Sequence, residues 1–374
     1  MIIAVAIRLA YFSRSGRAPP APTGAIPIIR QPSRQRPDPP PLTPTAALSA
    51  PAATTADTIA LVADDMRAVD VAINTRLDSG VPLVGEVARY IIAGGGKRLR
   101  PALLLLACGA LECRDPRRFD LAAVVEFIHT ATLLHDDVVD DSTLRRGRST
   151  ANEIFGNPAS VLVGDFLYSR AFQMMVEAGD MRIMETLAEA TNVIAEGEVL
   201  QLMNMHDAGL DQADYLRVIR SKTAKLFEAS ARIGALLAQA PPEIEAACAT
   251  YGQALGTAFQ VIDDILDYDG DTQEMGKNLG DDLREGKVTL PLIIAMQRAS
   301  QAQTGVIREA IETGNLADMG RIVEIVRETG ALDATRDAAA AEAQRAIDAI
   351  AGLPANACTT GLVQLAAQLL TRRA

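Results

Sequence analysis

The chain has 374 residues, 49% of them hydrophobic and 22% charged, so there is enough apolar side chain for a large buried core. A formal net charge of −11 excludes a general nucleic-acid binder, because phosphate backbones demand net positive faces, but it admits small anions held by local basic clusters or through metal ions. Aromatics make up 4% of the chain, Trp is absent and Ala and Leu abound, which favours helix over sheet.

The N-terminal stretch, residues 1–56, differs from the rest. Six arginines and no acid fall within residues 1–37, and eleven of the nineteen prolines lie between 19 and 51. Such a segment buries too little apolar surface to offset its conformational entropy, so a disordered extension is expected. An Arg-rich, acid-free leader also resembles an organellar transit peptide, which sets a mitochondrial location beside the default cytoplasmic one. A dispensable tail and a start codon assigned too far upstream are the competing readings.

From 57 to 374 one helical pattern follows another, with Gly and Pro between them and no linker-like break, so a single all-α domain is expected. "GGGKRLRP" (94–101) places Lys97, Arg98 and Arg100 directly after three glycines. It is not a P-loop, because Arg98 rather than Ser or Thr follows Lys97, and it does not fit G-x-G-x-x-G. "PALLLLACGALEC" (101–113) is shorter than the roughly 18 residues a membrane-spanning helix needs, so no stable membrane insertion is expected. The cysteines at 108, 113, 248 and 358 show no CxxC pairing and no nearby histidine, which indicates neither a zinc site nor a disulfide framework.

"DLAAVVEFIHTATLLHDDVVDD" (120–141) carries Leu121, Val124, Val125, Ile128 and Thr132 at helical spacing and ends in Asp136, Asp137 and Asp140. Asp136 and Asp140 lie one turn apart on one face and repel each other unless something offsets them. The same spacing recurs in "YGQALGTAFQVIDDILDY" (251–268) as Asp263, Asp264 and Asp267. A single such triad reads as a solvated acidic face. Two of them in apolar helices, each with basic residues nearby, suit Mg²⁺, which takes a few carboxylates and recruits phosphate oxygens for its other positions.

The basic partners are Arg145, Arg146 and Arg148 after the first triad, Lys222 in "SKT" (221–223) and Lys277 in "GKN" (276–278). Arginine's planar fork matches phosphate, and lysine serves as a point charge. His129 lies two turns before Asp136 on roughly its face, either as a core histidine or as a phosphate contact. His135 is less well aimed. Gln260, one turn before Asp263 and Asp264, suits a hydrogen bond to an ester or diphosphate oxygen, or to a neighbouring helix.

Taken together, "DDVVD" (136–140), "DDILD" (263–267), "GGGKRLRP", "LRRGR" (144–148), "SKTAKLFEAS" (221–230) and "GKNLGDDLREGKVTLP" (276–291) resemble the trans-polyprenyl diphosphate synthase family, in particular its long-chain members that make quinone side chains. The likeness runs from about residue 60 to the C-terminus. It implies a single-domain helical bundle around a deep central cavity with the aspartate motifs facing across its mouth, a homodimer, and two or three Mg²⁺ ions.

The resemblance also implies roles. Asp136, Asp140 and Asp263 hold the metal ions on the allylic diphosphate, with Asp137, Asp264 and Asp267 ligating directly or through water. Arg145, Lys222 and Lys277 offset the remaining charge, beside Thr223 and Gln260. Lys97, Arg100, His129 and Arg146 receive the diphosphate of isopentenyl diphosphate. Loss of diphosphate leaves an allylic cation, which must be kept from water. The isopentenyl alkene attacks the cation, and the released diphosphate takes the proton, since no side-chain base stands out. In the family a bulky residue just before the first triad forms a floor. Ala131 and Thr132 are small here, so a tunnel toward "FQMM" (172–175) and a product of roughly eight to ten isoprene units, C40–C50, are expected.

Three other readings fit less well. A silent partner subunit of this superfamily typically lacks one aspartate motif. A terpene cyclase generally lacks the second motif and the glycine–lysine–arginine site. A non-enzymatic cation-binding helical protein leaves the sorted basic clusters unexplained.

Overall fold

A computed structural model describes residues 55–269 and 280–371, all within one compact unit, Ala53–Ala374. The expected disorder of residues 1–56 falls almost wholly on residues outside the described set, as does Lys277.

The first helices are α1 (Thr55–Ala60), α2 (Ala63–Arg76), α3 (Pro82–Ala93), α4 (Leu99–Ala110) and α5 (Arg117–Val139). Helix α3 starts with proline at a position whose N–H has no helical partner. Ten of the twelve residues of α4 are buried, which is why "PALLLLACGA" shows no polar face: it is the central post of the bundle.

Helix α5 ends one residue before the third aspartate. Asp140 caps it, its N–H donating to Asp136 O at 2.8 Å, and Asp141 turns the chain at φ 50°. A two-residue antiparallel hairpin follows, β1 (Leu144–Arg145) and β2 (Arg148–Ser149), which the helical reading did not anticipate. Its loop is Arg146–Gly147, both left-handed (φ 54° and 71°), as the tightest hairpin turns require.

Next come α6 (Ala151–Phe155), α7 (Asn157–Glu177), α8 (Met181–Asn204) and α9 (Gln212–Ile219). Asp180 and Asp211 cap α8 and α9, each accepting from two backbone N–H groups. Helix α9 runs through one π-helical turn, Arg220–Ala224, into α10 (Lys225–Leu237). This turn is clasped by two glycines. A Cβ on Gly197 of α8 would lie 2.8 Å from Lys222 N, and one on Gly256 would lie 2.7 Å from Ala224 Cα. The long helix α11 (Pro242–Asp269) carries Gly256 and the second triad.

The chain closes with α12 (Asp281–Arg284), α13 (Leu290–Arg298), α14 (Gln301–Thr313), α15 (Met319–Glu328), α16 (Ala331–Ala349) and α17 (Ala357–Leu369). Two apolar cores result. The first gathers Leu103, Val124, Ile128, Phe227, Tyr251 and Leu362. The second gathers Tyr215, Ile262, Leu266, Leu290, Ile293 and Ile325. Helix α11 serves both, and the rod α9–π–α10 does so as well.

Candidate active site

A cavity of about 740 Å³ takes walls from α4, α5, the hairpin, α8, the π turn and α11. Its wall contains most of the residues singled out in the sequence: Lys97, Arg100, His129, Thr132, Asp136, Asp140, Arg145, Arg146, Lys222, Thr223, Gln260, Asp263, Asp264 and Asp267. The two acid triads, 127 positions apart in sequence (136 to 263), thus both send carboxylates into one space.

At the first triad each cavity-facing carboxylate meets a lysine. Asp136 lies 3.7 Å from Lys222 Nζ, and Asp140 Oδ2 accepts from Lys287 Nζ at 2.9 Å. Burial pushes the Asp140 carboxyl up, but Lys287 and Lys222 outweigh it and hold it below the usual range. Lys287 also donates to Glu285 at 2.5 Å. Burial opposes its charge, and Asp140 and Glu285 more than compensate, raising the ammonium well above the ordinary lysine range. Lys222 is shared between Asp136 and Glu198, whose Oε2 lies 2.7 Å away. Burial, then repulsion from Asp136, lifts the Glu198 carboxyl to about 7 against the pull of Lys222.

Asp137 turns the other way. It is buried in an ion pair with Arg145 at 2.7 Å and lines a small separate cleft under the hairpin. It therefore reaches the main cavity through Arg145, and Arg145 faces the cavity already holding one carboxylate.

At the second triad the hydrogen bonds run in a line. Thr223 Oγ1 donates to Gln260 Oε1 (2.9 Å), Gln260 Nε2 donates to Asp264 Oδ1 (2.8 Å), and Tyr215 Oη donates to Asp264 Oδ2 (2.6 Å). Burial, then Asp282, pushes the Asp264 carboxyl up to about 8. Gln260 thus bonds a neighbouring helix and a triad member at once, since Thr223 belongs to the π turn.

The basic end is built on glycine. Arg146, at the left-handed corner of the hairpin, lays its guanidinium where a Cβ of Gly96 would stand, so "GGG" leaves room for an arginine rather than cradling a phosphate by itself. The hairpin is pinned by Tyr90, whose hydroxyl donates to Ser149 O at 2.6 Å and whose ring lies 4.7 Å beneath Arg148. Arg100 lies over Phe227 at 4.4 Å and donates to His129 Nε2 at 3.1 Å. Burial draws the Arg100 guanidinium down to about 10, so it stays charged at neutral pH. Burial and then Arg100 hold His129 well below the usual histidine range, leaving a neutral ring whose Nε2 accepts.

Ala131 is fully buried in the first core and is not part of the cavity wall, whereas Thr132 is. The Thr132 hydroxyl donates to His129 O at 2.7 Å, which satisfies it within the helix. Met174 and Met175 are buried in the same core as Ala131. His135 is buried away from the cavity, its Nε2 3.1 Å from Val161 O and its ring stacked on Tyr168.

Sequence reasoning missed Glu198, Lys287, Asp282, Tyr215 and Glu126, which also line the cavity. Lys287 and Asp282 stood in plain view in "GDDLREGKVTLP". Nothing in the local pattern marks Glu198 or Tyr215.

Among the described residues no three His, Cys, Asp or Glu side chains converge on one point, and the carboxylates are spread along two lips. This donor set fits Mg²⁺, which needs one or two protein carboxylates and completes its octahedron with water and phosphate oxygens. It suits neither zinc nor a softer metal. No helix among the described residues is long and apolar enough to cross a membrane.

Comparison with known proteins agrees in family and fold. The sequence profile described as "Polyprenyl synthetase" matches residues 81–329. The chain is 51% identical over 307 residues to an octaprenyl diphosphate synthase of Escherichia coli, covering 82% of this chain and 95% of that one. It is 44% identical to an all-trans-nonaprenyl-diphosphate synthase of Rhodobacter capsulatus, covering 84% and 97%. A solved polyprenyl synthase from Caulobacter crescentus, complexed with calcium and isoprenyl diphosphate, superposes with a TM-score of 0.84 at 46% identity, covering 87% of this chain and all of that one.

Proposed function

This chain belongs to the polyprenyl synthetase family, as a prenyltransferase that makes long-chain trans-polyprenyl diphosphates, and from that premise we propose how the cavity divides the work. The allylic diphosphate lies between the two acid lips, and the diphosphate of isopentenyl diphosphate lies at Lys97, Arg100, His129 and Arg146. One observation carries this reading: carboxylates of the two acid triads, with Lys222 and Lys287 against the first, and the basic group Lys97, Arg100 and Arg146 line a single cavity.

Asp136, Asp140 and Asp263 would hold Mg²⁺, with Asp264 and Asp267 beside them, and the bound cations would supply positive charge against the diphosphate as its own charge grows. Lys222 and Lys287 are already aimed at that position through Asp136 and Asp140. Both add charge stabilisation that strengthens as the C–O bond breaks. Asp137 holds Arg145 at the same lip. Lys277, outside the described residues, joins this group on the resemblance alone.

Neutral His129 and charged Arg100 orient the second diphosphate, so that its alkene faces the departing carbon. Phe227, Phe259, Ile91 and Leu133 furnish apolar wall, which keeps water from the allylic cation. With His129 neutral and engaged as an acceptor, the proton lost after attack goes to the released diphosphate. Elongation toward Met174 and Met175 would draw on unbranched side chains of the first core, which repack readily.

Two helices carry exposed large apolar side chains, Leu162 and Val176 on α7 and Met181, Val199 and Met203 on α8. They support a homodimer. Four free cysteines support a cytoplasmic location. The test is direct: farnesyl diphosphate, radiolabelled isopentenyl diphosphate and Mg²⁺ should yield polyprenyl diphosphates in the C40–C50 range, which is roughly eight to ten units. No incorporation by folded protein would overturn the proposal.

A further inference from the structure

Helix α4 ends in a tight reversal that brings two cysteines together. Glu112 sits in the left-handed region at φ 55°, and its N–H donates to Gly109 O at 3.1 Å. Cys113 N–H donates to Cys108 O at 2.8 Å. These are the paired bonds of a Schellman ending, which sets the side chains six positions apart, counted inclusively, against each other. That contact is ordinarily made by two apolar residues. Here both positions are cysteines.

The two differ in surroundings. Cys108 is buried, while Cys113 is partly exposed. The hydrogen bond from Cys108 is the largest influence on Cys113 and, with the N–H of Asp115, draws its thiol down to about 6 against the opposing effect of burial. Burial pushes Cys248 up to about 12. The reversal is held from outside: Asn356 Nδ2 donates to Ala110 O at 2.9 Å, and Cys358 Sγ occupies the space a Cβ of Gly109 would need.

We propose that Cys113 and Cys108 form a reversible oxidation site, in which Cys113 reacts with hydroperoxides and Cys108 resolves the product. The Cys113 thiolate attacks hydrogen peroxide, giving a sulfenic acid and hydroxide; sulfur is oxidised by two electrons and the O–O bond breaks. Cys108 then attacks that sulfur. The disulfide forms, and the departing hydroxide takes up the Cys108 proton as water. Closing the bond joins residues that already touch, so α4 keeps its ending and Cys113 is protected from irreversible oxidation.

The test uses the full chain, reduced, then exposed to hydrogen peroxide at pH 7, with differential alkylation and peptide mapping of all four cysteines. Cys113 should react at least about tenfold faster than Cys248, from its larger thiolate fraction moderated by its lower nucleophilicity. The peptide carrying both cysteines should lose two hydrogens and regain them with a thiol reductant. In Cys108→Ser the reaction should stop at a sulfenic acid that dimedone traps on Cys113. In Cys113→Ser the Cys108 thiol should persist. Oxidation of Cys108 at an undiminished rate in Cys113→Ser would overturn the assignment. So would a Cys113–Cys358 disulfide, or alkylatable Cys108 and Cys113 after Cys358 has been consumed.

Discussion

Replacing Gly197 by Ala tests whether the position of the π turn controls catalysis. The new Cβ would stand 2.8 Å from both Lys222 N and Ser221 Cβ and 3.0 Å from Ser221 C. Backbone atoms cannot swing aside as a side-chain tip can, and relaxed contacts lie near 3.5–4.0 Å, so α8 and the turn must part by about 1 Å. The substitution gains about 1 kcal/mol of helix propensity and costs about 1–3 kcal/mol of overpacking, so net destabilisation stays within about 2 kcal/mol. The effect on turnover is larger. Lys222 Nζ is 3.7 Å from Asp136 and 2.7 Å from Glu198, and an added ångström takes it out of ion-pair reach of Asp136 and stretches the Glu198 contact past hydrogen-bond length. Misplacement on that scale costs roughly 100-fold in rate. The isopentenyl diphosphate site stands on α4, α5 and the hairpin, so its KM should stay within about twofold while kcat falls. Steady-state assays with each substrate saturating, alongside urea unfolding, read both. The control is Gly305→Ala in α14, where an added Cβ meets nothing within 4 Å; it should gain up to about 1 kcal/mol and leave kcat unchanged. A folded Gly197→Ala enzyme with kcat near the starting value would refute the reasoning.

Lys287→Met removes the cation between Asp140 and Glu285 and should lower kcat by roughly 10²–10³, the usual loss of one charge-stabilising donor; an effect confined to KM would count against its place at the departing diphosphate. Because the Glu198 carboxyl is raised from 4.5 to about 7, its protonated form favours the fold: that contribution is full below about 4.5 and is lost as pH rises through about 7. In protein stripped of divalent cations, the unfolding midpoints of the starting enzyme and Glu198→Gln should therefore diverge across this window, and parallel curves would contradict the shift. Tyr251→Phe leaves Leu362 O without its 2.7 Å donor in the first core and should cost about 1–3 kcal/mol in urea unfolding with kcat unchanged. Ala131→Phe fills the packed level below the first triad and should shorten the product; an unaltered chain-length distribution would show that the hydrocarbon does not pass there.

The residues legible in advance are those whose chemistry depends on local spacing. Asp136 and Asp140 were readable as one face of a helix, and their recurrence at Asp263 and Asp267 fixed the reaction class through the family resemblance. Asp137 was harder: it follows Asp136 by about 100° of helical rotation, and only the hairpin's return supplies Arg145 on that side. The glycine run was legible as unusual but not as room for Arg146, since that contact joins position 96 to a left-handed corner fifty residues on. Glu198 and Tyr215 carry no local mark, because each acquires meaning from a partner on another helix. Ala131 and Thr132 looked alike in sequence, and packing separates them into core and cavity wall.

The π turn has a further consequence for the rod that contains it. An α-helix advances about 100° per residue, so a wider turn shifts the phase of everything downstream. Before it, Tyr215 and Ile219 are buried in the second core; after it, Leu226 and Phe227 are buried in the first. The turn thus acts as a phase coupling between two cores, with Lys222 mounted on the coupling itself. Deleting one residue there would leave a helix of ordinary appearance and good propensity. It would also force one core to accept the wrong face, or rotate the lysine out of the cavity.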